Sequence, residues 1–267
     1  METIIYEVRE SVAEIALARA PANALDEPTL QKLLDALRRA AIDPEVRVVL
    51  LHSAIANRFC AGLDLKVLRD YGAQQLRGVL QKLYVDLFDV QFNLGKPSIA
   101  AVSGATRGGG MTVAVACDLV VASTAATFGY PEIDSGLLPA IHYVHLPRIV
   151  GRQRAFDLLF TGRTISAQDA LELGLINRVV EEGHVLDAAR QLAQTLASKP
   201  AETVRRGRAA FMSVIDQNYR RDIAAAVEQF CNVAAGEEAR AGLAAFSGRR
   251  DPDRVRDSQA GSNELNA

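Results

Sequence analysis

The chain contains no tryptophan, and only three cysteines and three methionines in 267 residues. Cys60, Cys117 and Cys231 stand far apart, with no C-x-x-C and no Cys/His ligand spacing. That argues against a disulfide framework and against a structural zinc site, so no metal is expected. Charge of one sign is also lacking: 30 basic and 32 acidic side chains leave a net charge of −2. No concentrated basic stripe exists of the kind nucleic-acid binders carry, and no nucleic-acid partner is expected. The short cluster "RRGR" at 205–208 reads as a solvated helix face, with phosphate contact as the sharper alternative. No apolar run reaches the roughly 18 residues of a membrane span. The N-terminal "METIIYEVRE" has no basic segment followed by an apolar one, as a secretory signal would. The expectation is a protein without membrane association in a reducing, cytoplasmic setting.

What the sequence does have is apolar side chains, 49% of the total, enough for a sizeable core. "TIIYEV" and "VAEIALA" read as two strands. "DEPTLQKLLDALRRAA" reads as a helix: Asp26 caps it, Pro28 suits the first turn, and Leu30, Leu33, Leu34 and Leu37 form an i, i+3, i+4, i+7 stripe. "VRVVLLH" is the short continuous run of a strand buried on both faces. A helix over 73–94 follows, then a strand at "KPSIAAVSG", a small-residue helix opened by "GGGMTVAVAC", and a strand at "DLVVAS". Strands alternating with helices argue an α/β fold with parallel pairing. Strand signals thin out after about residue 150. "SAQDALELG" has Ser166 and Asp169 at capping-box spacing and Gly174 as a stop, "INRVV" is one last strand, and 185–246 is helical with a break at Pro200. The polar end from 251 to 267 has the composition of a disordered tail.

Three segments carry candidate chemistry. "FCAGLDL", at 59–65, leaves a strand through three small residues, which permits close approach to a neighbouring strand or to a ligand held by backbone N–H groups. "SGATRGGGMTVAVACD", at 103–118, places three glycines between a strand and a helix. Free N–H groups at such a helix start attract a negative oxygen, while close helix–strand packing is the plainer reading. Neither G-K-[ST] nor G-x-G-x-x-G is present, so two nucleotide-binding loops are excluded. In "ATFGYPEIDSGLLP", Glu132 is either a solvated loop acid or a carboxylate in an apolar pocket with a raised pKa.

Taken together, "FCAGLDL", "KPSIAAVSGATRGGG", "CDLVVASTAATFGYPEIDSGL" and "LPRIVGRQRAFDLLFTGRTISAQDALELGLINRVV" resemble the crotonase superfamily, the enoyl-CoA hydratase/isomerase family, over about residues 3–250. The resemblance implies a crotonase-like α/β spiral of ββα units, with an acyl-CoA-binding core over 1–195 and a C-terminal helical trimerisation region over 196–250. It implies an acyl-CoA substrate, no cofactor beyond the CoA of that substrate, and a homotrimer or hexamer. It places the oxyanion-hole donors at Ala61 and Gly109. Substrate contacts are implied at Ala22, Ala24, Ala61, Gly62, Leu63, Asp64, Leu65, Gly108, Gly109, Pro131 and Glu132.

The sequence departs from that pattern twice. Typical hydratases carry a first glutamate two residues past the glycines; here that position is Thr112, and only the second, Glu132, is present. A single acid–base resembles the branch of Δ3,Δ2-enoyl-CoA isomerases, as does the compact "RAPANAL" at 19–25. Hydration with a water ordered by Thr112 is the alternative. Further on, "LLPAIHYVHLPR" replaces a Gly-Gly-Thr-type run and puts His142 and His145 on one helix face. They are packing or interface residues, or, with Asp134 as carboxylate, the catalytic groups of a C–C hydrolase like some crotonase relatives. A non-catalytic or RNA-binding relative is the reading from another class, and the balanced charge argues against it.

Overall fold

The computed structural model describes residues 2–69, 71–215 and 218–248. The tail expected at 251–267 lies outside them. Strands β1 (Ile4–Arg9) and β2 (Val12–Leu17) form an antiparallel pair, and helix α1 (Glu27–Ile42) follows. Asp26 caps α1 by accepting the Thr29 N–H at 2.9 Å, and the leucine stripe is buried. The next strands divide between two sheets, alternating as far as β8: β3 (Val48–Ser53), β5 (Ser98–Val102), β7 (Leu119–Ser123) and β10 (Arg178–Val180) extend the first. β4 (Arg58–Cys60), β6 (Ala105–Arg107), β8 (Thr127–Gly129) and β9 (Thr164–Ser166) make the second. From β2 to β10 the first sheet is parallel. The pairs β3–β4, β5–β6 and β7–β8 each lay one strand in each sheet before a helical segment, which is the expected ββα repeat, whereas a helix separates β9 from β10.

Side-chain alternation along β3 and β5 explains why these strands read as continuous apolar runs. Val49, Leu51, Ala100 and Val102 enter the main core with α1, while Val48, Leu50, Ile99 and Ala101 pack on helix α9 (Val185–Ala197). A parallel sheet covered on both faces has no polar side. The three-residue strands of the second sheet are too short for a periodic signal, and they are absent from the sequence reading.

The helix expected over 73–94 is continuous but mixed. After α2 (Leu65–Leu68), α3 (Ala73–Leu80) passes into a π-helical stretch, Gln81–Asp86, and then α4 (Leu87–Phe92). Such insertions re-aim side chains and are common beside functional sites. Here the π stretch carries Leu83 and Tyr84, both buried. Helix α5 (Gly109–Val115) starts at the glycine run, and a 3₁₀ helix (Pro131–Ser135) follows β8. Helix α6 (His142–Val150) carries the helix face expected for His142 and His145, α7 (Arg152–Thr161) occupies a stretch with no element assigned from sequence, and α8 (Ala167–Glu172) has the expected Ser166/Asp169 capping box.

The C-terminal region continues with α10 (Ala201–Ile215), α11 (Tyr219–Ala234) and α12 (Glu237–Gly248). The division drawn at 195/196 falls in the last turn of α9. α12 folds back over the 3₁₀ helix so closely that a Cβ on Gly242 would meet the Ser135 carbonyl at 2.1 Å. Of the "RRGR" cluster, Arg205 and Arg206 pair with Glu202 on an exposed face, as expected. Arg208 instead is buried and grips Asp118 through two nitrogens, at 2.9 and 3.1 Å, tying α10 to the start of β7.

Candidate active site

The site forms where the ends of β4, β6 and β8 meet. Between β4 and α2 the chain passes Gly62, whose φ of +88° suits glycine and whose Cβ would lie 2.7 Å from the Arg107 carbonyl. The Leu25 N–H donates to the Gly62 carbonyl at 2.7 Å, and the Asp64 N–H to the Leu25 carbonyl at 2.9 Å. Buried Asn23 holds the 19–25 loop on β4, donating to the Phe59 carbonyl at 2.9 Å. Asp64 caps α2 through the Val67 N–H and pairs with Arg19 at 2.7 Å. Its carboxylate is thereby committed to holding the loop that carries Ala22 and Ala24.

One expected donor is corrected. The Ala61 N–H is taken by the Ala22 carbonyl at 3.0 Å, so it has no hydrogen left for a ligand oxygen. The N–H that faces Gly109 belongs to Leu63: a Cβ on Gly109 would stand 3.4 Å from the Leu63 nitrogen, and one on Gly62 would stand 3.1 Å from the Gly109 nitrogen. No backbone carbonyl of the described residues accepts the Leu63 N–H. Gly109 is the first residue of α5, where an N–H has no partner within the helix. Leu63 was named from sequence only as a contact; the signal that separates it from Ala61 is the pairing of Leu25 with this segment, which is not local.

The three glycines do separate jobs. Gly108 has φ +48° and ψ −116°, a conformation open to glycine, and a Cβ there would meet Glu132 Oε1 at 2.6 Å. A Cβ on Gly109 would meet the Leu83 Cδ2 methyl at 2.9 Å. Gly110 allows the helix to touch β4, since a Cβ would meet the Cys60 carbonyl at 2.3 Å. Close packing therefore accounts for Gly108 and Gly110, while the Gly109 N–H has no backbone partner among the described residues.

Glu132 reaches the same place from β8. The ends of β6 and β8 are in register, with Arg107 opposite Gly129, and the Gly108 N–H donates to the Gly129 carbonyl at 3.1 Å. Two residues on, Pro131 and Glu132 open the 3₁₀ helix, which Gly136 ends in the left-handed conformation. Glu132 Oε2 is shut off from solvent and has no hydrogen-bond partner. Burial pushes its carboxyl up to about 7. No second acid contributes to that rise. Tyr84, Tyr130 and Tyr143 surround it: burial, and behind it the charge of Glu132, raises the pKa of each. These tyrosines were not assigned from the sequence, because nothing local marks them. Cys60 is no nucleophile, since burial raises its thiol to about 12.

Thr112 is buried one turn into α5, its hydroxyl 3.4 Å from His142 Nε2. His142 and His145 do share a face of α6, and His142 Nδ1 lies 3.1 Å from His145 Nε2. Asp134 is exposed and its carboxylate lies against Gly162. Among the described residues neither histidine pairs with it, so the His–Asp arrangement of a hydrolase is not assembled. Thr112, Tyr84, His145 and Tyr219 line a cavity of about 360 Å³ beside the site.

The description "Enoyl-CoA hydratase/isomerase" belongs to the family whose profile matches residues 7–255. The carnitinyl-CoA dehydratase of Proteus mirabilis is 33% identical, over 92% of this chain and 95% of its own length. The crotonyl-CoA hydratase of Syntrophomonas wolfei is 32% identical, over 93% and 96%. The crystal structure of an enoyl-CoA hydratase/isomerase from Xanthobacter autotrophicus Py2 superposes with a TM-score of 0.85 at 28% identity, covering 97% of both chains. With the two-sheet ββα architecture and paired N–H groups already described, these matches mean that the chain belongs to the enoyl-CoA hydratase/isomerase family of the crotonase superfamily.

Proposed function

We propose that this chain acts on an acyl-CoA thioester, that the Leu63 and Gly109 N–H groups hold its carbonyl oxygen, and that Glu132 is its single carboxylate acid–base. The observation that carries the reading is the state of Glu132: a carboxylate whose Oε2 is closed to solvent and unpartnered, beside two backbone N–H groups without backbone partners, with a pKa near neutrality set by burial and no second acid. A base poised near the working pH is the efficient one. Two donors aimed at a thioester oxygen stabilise the enolate formed when a proton leaves C2.

A single base suits the shift of a double bond. Ionised Glu132 takes a proton from C2 of a 3-enoyl-CoA, and the electron pair moves into a dienolate whose oxygen the two N–H groups hold. Protonated Glu132 then returns the proton to C4, leaving the 2-enoyl-CoA. No water is consumed, and no cofactor beyond the CoA of the substrate is required. Hydration is the second reading, favoured by the names of the two relatives, a hydratase and a dehydratase. Against it stands Thr112, which does not titrate near neutrality and whose hydroxyl meets His142.

Initial rates on crotonyl-CoA, a 3-enoyl-CoA and a cyclic diketone separate the readings. Isomerisation of the 3-enoyl-CoA is expected to dominate. Turnover of the diketone alone would move the assignment to a hydrolase.

The same family membership motivates a homotrimer or a dimer of trimers. Phe211, Val214 and Ile215 of α10 are 63%, 69% and 50% exposed, an apolar strip that association would cover. Light scattering at micromolar concentration is expected to give three or six chain masses; a monomer contradicts this.

A further inference from the structure

We propose that His142 is a positioning residue for the reaction: through the Thr112 hydroxyl, its ring holds the first turn of α5 so that the Gly109 N–H points at the thioester oxygen. The proposal rests on the oxyanion role given to Gly109 above. It starts from a weakness of the glycine run. The Gly109 N–H and the Gly108 carbonyl belong to one planar, trans peptide unit, so whatever orients the carbonyl orients the N–H. Gly108 itself supplies little restraint, because glycine crosses the backbone map at small cost. The restraint has to come from partners of the carbonyl and of the turn.

Those partners converge on His142. The Gly108 carbonyl accepts the Met111 and Thr112 N–H groups at 2.8 and 3.3 Å. The Thr112 hydroxyl, on the same turn, lies 3.4 Å from His142 Nε2. Behind the ring, Nδ1 lies 3.1 Å from His145 Nε2, and His145 Nδ1 lies 3.5 Å from the Tyr219 hydroxyl. The Tyr130 ring packs on His142 with centroids 4.4 Å apart. His142 has no exposed surface.

With both rings neutral the series can run either way; in the direction the proposal uses, Tyr219 donates its hydroxyl hydrogen to His145 Nδ1, His145 donates from Nε2 to His142 Nδ1, and His142 donates from Nε2 to Thr112 Oγ1. Both rings are then neutral, in keeping with burial, which lowers His142 well below its ordinary value and His145 to about 4. A merely space-filling ring here would leave buried nitrogens unmatched, at a cost. This series matches them and ends on the turn that carries the Gly109 N–H.

The test compares His142→Phe, which keeps a ring and removes both nitrogens, with His142→Gln, whose amide N–H takes the place of Nε2–H. Turnover of the 3-enoyl-CoA is measured with the absorption of a bound arylacryloyl-CoA, which moves to the red as its thioester carbonyl is polarised. His142→Phe is expected to lower kcat about tenfold with KM within about threefold, a fraction of the effect of deleting a donor, and to reduce the red shift. His142→Gln is expected to recover most of both. Thr112→Val, which removes only the hydroxyl, gives the same test from the other side if His142→Phe does not fold; it is expected to lower kcat about threefold, with a smaller red shift. A red shift and kcat unchanged in the folded His142→Phe or Thr112→Val protein would overturn the proposal. A wild type that causes no red shift would remove the oxyanion role of Gly109, and the positioning role with it.

Discussion

Glu132→Gln is expected to slow isomerisation of a 3-enoyl-CoA by between about 10²- and 10⁴-fold while acyl-CoA affinity stays close to that of the wild type. The range is the usual effect of removing a positioned general base. The amide has nearly the size of the carboxylate, and the pocket that Gly108 leaves open accepts either. The pH dependence follows from the same group. Below about 7 the carboxyl holds its proton and cannot act as base, so kcat/KM of the wild type rises with pH through that value. The consequence for stability has the opposite sign. Between the ordinary carboxylate value of 4.5 and about 7, the folded state binds more protons at Glu132 than the unfolded chain does. Stability contributed by this group therefore falls as pH rises across that window. Glu132→Gln is expected to melt above the wild type at pH 8, and the difference should close towards pH 5. Thermal melts at the two pH values check it, and a variant less stable than the wild type at pH 8 would contradict a carboxyl raised by burial.

Gly109→Pro is expected to abolish activity on every thioester substrate with the protein still folded. Proline has no N–H to offer, and its fixed φ is accepted at the first position of a helix. The nearest obstacle to the new side chain is the Leu83 Cδ2 methyl, 2.9 Å from the added Cβ, the end of a flexible side chain. Losing one oxyanion donor costs roughly 10²–10³-fold, and the proline ring also occupies space where the oxygen would sit. Circular dichroism and turnover together decide the matter. A folded variant with near wild-type turnover would remove Gly109 from the site. Ala61→Pro is not its equivalent: the Ala61 N–H bonds the Ala22 carbonyl, so that change attacks the loop.

That contrast shows how far the sequence reaches. The strands of the first sheet and the stripe of α1 are periodic and local, and they stand where the sequence puts them. The small-residue segments and Glu132 are legible as an ordered set of motifs, because only glycine fits Gly62 and Gly108. The choice between Ala61 and Leu63 was not legible. It depends on which N–H the 19–25 loop consumes, a contact between segments about 40 residues apart in the chain. The tyrosines around Glu132 and the link from His142 to Thr112 are hidden for the same reason. They come from the π stretch, from the end of β8 and from α6, elements that only the folded ββα repeat brings together. The π stretch itself has no sequence signature, since its residues continue the helical apolar pattern.

The central claim is that one carboxylate carries the same proton away from C2 and back to C4. Its most direct test is a 3-enoyl-CoA bearing deuterium at C2, with the isotope located in the 2-enoyl product by mass spectrometry. Glu132 Oε2 is closed to solvent, so the deuteron it accepts exchanges slowly with water. The account predicts deuterium at C4 well above the natural background, and none transferred by Glu132→Gln. A product carrying only solvent hydrogen at C4, or a hydrated product whose formation collapses in Thr112→Ala, would contradict it.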